Sequence, residues 1–183
     1  MSTTRERALT AAVDLVGTQG IRALTHVRVD ERAGLPRGSA SNHFRTRAAL
    51  LAGVAAWISE QEVRDLGAVL AQPFDDLDGF VDVFSAGLEL LTGPYAVRTR
   101  ARYALFLEAA SDPVVFAPLR AQREGFAAWS RRLLETLGAR HPDTAVRAFM
   151  AFGDGLILHR LTVDPDAPVR PSVEAALRGC LTV

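Results

Sequence analysis

Three features of the chain predict an all-α fold. Apolar residues recur three and four positions apart along most of its length. No stretch alternates apolar and polar residues in the way a half-buried strand does, and Gly and Pro interrupt the helical stretches at short intervals. The predicted architecture is an N-terminal three-helix unit containing a helix-turn-helix (residues 1–50), followed by a larger helical domain (residues 51–183).

The first helix carries Leu9, Ala12, Val13 and Val16 as one stripe, with Thr3 or Thr4 as its cap and Gly20 after its end. A second, short helix runs from about Val27 to Ala33, capped by Thr25 and stopped by Gly34. In Leu35-Pro36-Arg37-Gly38 the proline suits the first turn of a helix, because its missing donor is unpaired there anyway. That places a third short helix up to about Phe44. Two short helices joined by a Gly-containing turn form a helix-turn-helix. Its core is predicted to be Val27, Val29, Ala33, Leu35, Ala40 and Phe44, packed on the first helix. Thr46 then caps a long helix from Arg47 to about Leu70. Beyond Pro73 the breaks leave helices at about 75–91, 96–110, 114–137, 142–163 and 171–181. The 114–137 stretch holds Val115, Leu119, Gln122, Phe126, Trp129, Leu133 and Leu137 in register.

Composition removes several classes of chemistry. All 21 basic residues are Arg, balanced by 21 acidic residues. Without Lys there is no P-loop, no Schiff base and no Ser-x-x-Lys nucleophile. The single cysteine, Cys180, excludes an intrachain disulfide and a Cys-rich zinc site, and its register with Val173, Ala176 and Leu177 predicts a packed core thiol. No two of His26, His43, His141 and His159 have metal-ligand spacing on a helix. Asp75, Asp76, Asp78 and Asp82 read as a helix N-terminus. No catalytic residue, metal or cofactor is expected. The longest apolar run, Ala48–Ile58, has 11 residues, against the ~20 that cross a bilayer. The N-terminus lacks the apolar region of a signal peptide, so a cytoplasmic location with no membrane contact is expected.

Charge is distributed unevenly. Residues 1–50 hold eight Arg and four acids, and residues 51–183 hold thirteen Arg and seventeen acids. A basic helix-turn-helix on a chain of zero net charge points to a polyanion at that end.

Gly20, Thr25, Ala33-Gly34, Gly38-Ser39, Asn42-His43-Phe44 and Arg47-Ala48-Ala49-Leu50-Leu51 together resemble the N-terminal pattern of the TetR family of transcriptional regulators. Three positions depart from it. Val29-Asp30 stands for the usual Ile-Ala, Ser41 for a Tyr that commonly touches phosphate, and Arg47 for Lys. Phe106-Leu107-Glu108-Ala109-Ala110 before Asp112-Pro113, and Asp154-Gly155-Leu156, look like parts of the family's ligand-binding half.

A recognition helix offers its N-terminal residues to base edges while the preceding helix crosses the backbone. Arg37, Ser39, Ser41 and Asn42 are therefore candidates for bases, with Arg37 suited to guanine and Asn42 to adenine. Thr25, Arg28, His43, Arg45 and Arg47 are candidates for phosphates, and Gly38 permits close approach to the backbone. One short helix cannot supply operator-level affinity, so a homodimer on a palindromic duplex operator is expected. The 142–163 helix has two apolar stripes, Val146-Phe149-Met150-Gly153-Ile157 and Ala145-Ala148-Phe152-Leu156. One belongs to the subunit's own core and one to the partner. The candidate interface is Ala145, Ala148, Phe152 and Leu156, with Val173 and Leu177 of the last helix. The resemblance further implies a small-molecule effector held among the middle helices. Polar residues in apolar stripes and the aromatics near them make Trp57, Gln61, Phe84, Tyr103, Phe106, Gln122, Phe126 and Trp129 the candidate walls for an apolar or aromatic ligand. These expectations describe a regulator, most simply a repressor released by its ligand. The competing reading is a helical small-molecule-binding or catalytic protein without DNA-binding function, which the basic positions 28, 37, 45 and 47 disfavour.

Overall fold

The computed structural model describes residues 2–74, 76–108 and 113–182, with residues 113–116 described by their backbone. Among them are nine α-helices: α1 (Thr4–Gln19), α2 (His26–Ala33), α3 (Ser39–His43), α4 (Arg47–Leu70), α5 (Leu77–Thr92), α6 (Ala96–Glu108), α7 (Pro113–Thr136), α8 (Pro142–Thr162) and α9 (Val169–Thr182). A short 3-10 turn, Ile21–Ala23, links α1 to α2. Asp75 of the acidic cluster, and Ala109, Ala110 and Asp112 of the ligand-half motif, lie outside the described residues, as does the side chain of Val115. No helix among the described residues is long and apolar enough to cross a membrane.

Packing divides the chain into two compact units, Met1–Val63 with Tyr95–Ala121, and Arg64–Pro94 with Gln122–Val183. In the first, α1 begins with a capping box. The Thr3 hydroxyl accepts from the Glu6 N–H at 3.2 Å, and the Glu6 carboxylate accepts from the Thr3 N–H at 2.8 Å. The stripe Leu9, Ala12, Val13 and Val16 is buried, together with Ala8, Ala11 and Leu15. Helix α1 packs on α2 and α6. The contact with α6 requires Gly17, because a Cβ there would overlap the Val97 carbonyl. Val29, Ala40 and Phe44 join this core, and α4 adds Leu50, Leu51, Val54, Ala55 and Ile58.

Two expectations for this unit need correction. Val27 is 42% exposed, because the buried face of α2 runs through Val29 and Asp30 instead. Pro36 and Arg37 stand in the turn before α3, which starts at Ser39. The reason is Gly38, whose φ of 91° is outside the helical region and makes it the residue before the helix.

In the second unit α5, α8 and α9 pack on one another. Phe80 and Phe149 are fully buried at its centre, with ring centroids 5.8 Å apart. Phe84 lies 4.5 Å from Phe149. Arg170 of α9 pairs with Asp82 at 2.7 Å, and Asp76 caps α5 by accepting from the Gly79 N–H at 2.8 Å. The described members of the acidic cluster therefore begin a helix and bind an arginine. Helix α9 starts at Val169, two residues earlier than expected, since Pro171 is tolerated within the first turn.

Candidate functional site

Helices α2 and α3 carry the candidate nucleic-acid interface. The Thr25 hydroxyl accepts from the Arg28 N–H at 3.3 Å and so caps α2. Gly34 closes α2, its N–H reaching the carbonyls of Asp30 and Glu31. Arg7 of α1 donates to the carbonyls of Ala33 and Gly34 at 2.8 and 3.2 Å, which holds the end of α2 against α1.

Helix α3 has five residues, too few to persist alone. Two side chains of α2 fasten it. The buried Asp30 carboxylate accepts from the N–H of Gly38 at 2.8 Å and of Ala40 at 2.7 Å. His26 Nε2 lies 2.6 Å from the carbonyl of Phe44, the residue that ends α3, and donates to it. Neither contact is foreseen from the sequence. A polar residue beside Val29, on the buried face of a short helix, is the signal that identifies Asp30.

The exposed side chains follow from this frame. Ser41, Asn42 and His43 are exposed along α3, Ser39 is half-buried, and Arg37 stands exposed in the preceding turn. The serine hydroxyls donate locally, Ser39 to the Pro36 carbonyl at 2.6 Å and Ser41 to the Gly38 carbonyl at 2.9 Å, which leaves their lone pairs as acceptors. Arg37 and Arg45 have no protein partner among the described residues. Arg28 is exposed and donates to Gln19, and Arg47 donates to the Ile21 carbonyl at 3.1 Å. Among the four acids of residues 1–50, Glu6 is in the capping box, Asp14 pairs with Arg32 at 2.5 Å and Asp30 is buried. The fourth, Glu31, is exposed, so the surface of this segment keeps an excess of Arg, which phosphate contacts need.

The eight ligand-wall candidates fall into both units. Trp57 and Phe106 pack half-buried on the first unit's core, and Tyr103 lies 6.2 Å from Phe106. Gln61 precedes Glu62, a fully buried carboxylate that accepts from Arg102 at 2.9 Å. The sequence reading missed this pair, although Glu62 continues the register of Leu51, Ala55 and Ile58. In the second unit Phe84, Phe126 and Trp129 form a stacked series. Centroids are 6.1 Å apart at 22° for the first pair and 5.5 Å at 23° for the second. Gln122 lies half-buried one turn before Phe126. A separate cleft of about 280 Å³ in this unit is lined by Arg123, Ala127, Val146, Arg147, Met150, Ala151 and Asp154, none of them a predicted wall.

The candidate dimer residues divide by burial. Ala145, Val173 and Leu177 have no exposed surface to offer a partner, and Leu156 has little, because all four fill the unit's own core. Ala148 is exposed and Phe152 half-buried. The exposed face of α8 runs through Ala148, Ala151, Gly155 and Leu158, the last 42% exposed. Small residues also line the exposed side of α9, at Ala175 and Gly179.

Comparison with known proteins identifies the family and the fold. Residues 75–183 match the family model described as "Tetracyclin repressor-like, C-terminal domain". A TetR-family member from Streptomyces coelicolor superposes over 100% of both chains with 29% identity and a TM-score of 0.75. The multidrug binding protein EbrR, complexed with ethidium, shares 28% identity over 97% of each chain with a TM-score of 0.71. A transcriptional regulator from Rhodococcus sp. Rha1 has the same fold, with a TM-score of 0.79 at 21% identity over 98% of this chain and 95% of its own. No curated protein sequence matches the chain.

Proposed function

Because the chain belongs to the TetR family of transcriptional regulators, we propose that it binds a palindromic duplex operator as a homodimer and represses transcription until an apolar or aromatic ligand releases it. It is a regulator and not an enzyme. The observation that carries the DNA assignment is the exposed row of Arg37, Ser41, Asn42 and Arg45 around α3, with two guanidinium groups that have no partner among the described residues. Guanidinium groups recognise guanine edges and phosphates, and an Asn side chain can pair with adenine.

For the ligand, the stacked rings of Phe84, Phe126 and Trp129 favour a planar aromatic molecule, with Gln122 as a hydrogen-bonding group nearby. The EbrR complex with ethidium is consistent with a ligand of that class. Helix α4 is continuous from Arg47, directly after the DNA-binding helices, to Leu70, and would transmit a tilt between ligand and DNA. Such coupling requires the ligand to bind the DNA-incompetent state more tightly, by ~1.4 kcal/mol for each tenfold loss of DNA affinity. For dimerisation, the exposed face Ala148, Ala151, Gly155 and Leu158 is the surface we assign to the partner, with Ala175 and Gly179 of α9 beside it.

The test is a mobility shift with duplex DNA selected by the protein from a random pool, followed by titration with ethidium. Enrichment of a palindrome and its release by ethidium, with a change in Trp129 emission in a Trp57→Phe background, are expected. A chain that enriches no duplex would return the competing reading, a helical binding protein without DNA.

A further inference from the structure

We infer that Asp30 is a positioning residue for sequence discrimination, holding α3 from outside while touching no DNA itself. The inference rests on the DNA-binding reading. Its structural basis is that α3 lacks a side-chain cap of its own. Gly38 precedes it and cannot supply one, and no side-chain bond closes its N-terminus from within. The orphan N–H groups at that end must find acceptors elsewhere. Asp30 supplies two of these acceptors, through different oxygens, Oδ2 to Gly38 at 2.8 Å and Oδ1 to Ala40 at 2.7 Å, while the Pro36 carbonyl accepts from the Ser39 N–H between them at 3.1 Å. The carboxylate is only 3% exposed, so water does not compete for these bonds. One helical turn earlier, His26 reaches the carbonyl at the other end of α3. Residues four apart share a face of a helix, so one face of α2 grips both termini of α3, with a carboxylate at the positive end and a donor at the negative end.

The chemistry demands a carboxylate. Two N–H groups need two acceptors. Asn offers one acceptor oxygen and would turn its own NH2 donor against the second N–H. Asp and Asn have nearly equal shape, so the exchange changes only hydrogen-bonding capacity and charge. Arg28, Arg45 and Arg47 do not ride on α3, so loosening that helix should blur base selection and leave phosphate contacts in place. Removing a negative charge would even favour non-specific binding slightly.

The experiment compares full-length Asp30→Asn with the parent in two ways. Amide hydrogen exchange of Gly38 and Ala40 in the DNA-free protein reads the grip itself. Affinities for the duplex selected by the parent and for a scrambled duplex, at one salt concentration, read discrimination. We expect exchange at one or both amides to accelerate at least tenfold. The specific-to-scrambled ratio should fall at least tenfold, while scrambled-duplex affinity stays within about threefold of the parent. His26→Phe should lower the ratio in the same way, and His26→Gln, which keeps a donor, should restore most of it. Parental protection of both amides in Asp30→Asn would overturn the inference, as would an equal loss of affinity for both duplexes, which would make Asp30 a general stabiliser. Failure of the parent to enrich any duplex would instead defeat the DNA-binding reading, and the exchange data would still decide whether Asp30 holds α3.

Discussion

Arg37 and Arg45 are both exposed without partners among the described residues, yet they stand on different parts of the frame and should behave differently. Arg37 lies in the turn that enters α3. Replacing it with Ala should relax preference at one base pair by about 1–3 kcal/mol, as measured with single-substitution variants of the selected duplex. Arg45 follows α3, and we assign it to phosphate. Arg45→Ala should weaken binding to every sequence and reduce the slope of log K against log salt by about one. Glu62 illustrates a residue whose importance is internal. It is fully buried and accepts from Arg102, itself largely covered. Glu62→Ala should destabilise the fold by about 3 kcal/mol in urea unfolding, because it removes one partner of a buried ion pair. Cys180 is buried, and burial pushes its thiol above the usual cysteine range. Alkylation of the native protein at pH 8 should therefore be slow and should accelerate only on unfolding.

The ends of helices concentrate their information in few residues, and this is where sequence reading succeeded most directly. Thr3, Thr25 and Thr46 are all N-caps, the last accepting from the Ala49 N–H at 3.0 Å. Thr3→Ala should cost about 1 kcal/mol in α1. The Thr3 backbone N–H holds the Glu6 carboxyl below the ordinary carboxylate range. A carboxyl depressed in the folded state contributes stability that is complete above the unfolded value, ~4.3. It is lost as pH falls through the lower, folded value. Thermal melts below pH 4.5 should thus show a shallower acid decline for Glu6→Gln than for the parent. Close contact between elements is less legible. Nothing adjacent in sequence to Gly17 announces that Val97, eighty residues later, will lie against it. Gly17→Ala should destabilise by about 1–3 kcal/mol through overpacking.

For the whole molecule, the dimer proposal now has a variant that tests it cleanly. Glu at Leu156 would charge a core position, whereas Ala151 and Leu158 are exposed. Ala151→Glu with Leu158→Glu should keep the melting temperature of the subunit fold, sediment as a monomer and bind the selected duplex at least tenfold more weakly. A wild-type chain that sediments as a monomer at micromolar concentration would remove the dimer from the proposal.

The sequence by itself determined the helix count, most boundaries to within two residues, the helix-turn-helix and the family. Each of these rests on local patterns: the 3.6-residue period, caps such as Thr25, and breaks such as Gly34 and Pro73. It also indicated that Arg37, Ser41, Asn42 and Arg45, around α3, face solvent, since a polar residue outside a stripe does so. Tertiary structure alone decided which of two equally apolar stripes on α8 fills the core. The answer mixes them, with Phe149, Gly153 and Ile157 of one and Ala145 and Leu156 of the other buried, and Ala148 exposed. It also decided that Asp30 and Glu62 are buried. Periodicity ranks faces by hydrophobicity and cannot see partners. A carboxylate goes inside only where another part of the chain brings N–H groups or a guanidinium to meet it, and that meeting depends on how distant helices pack.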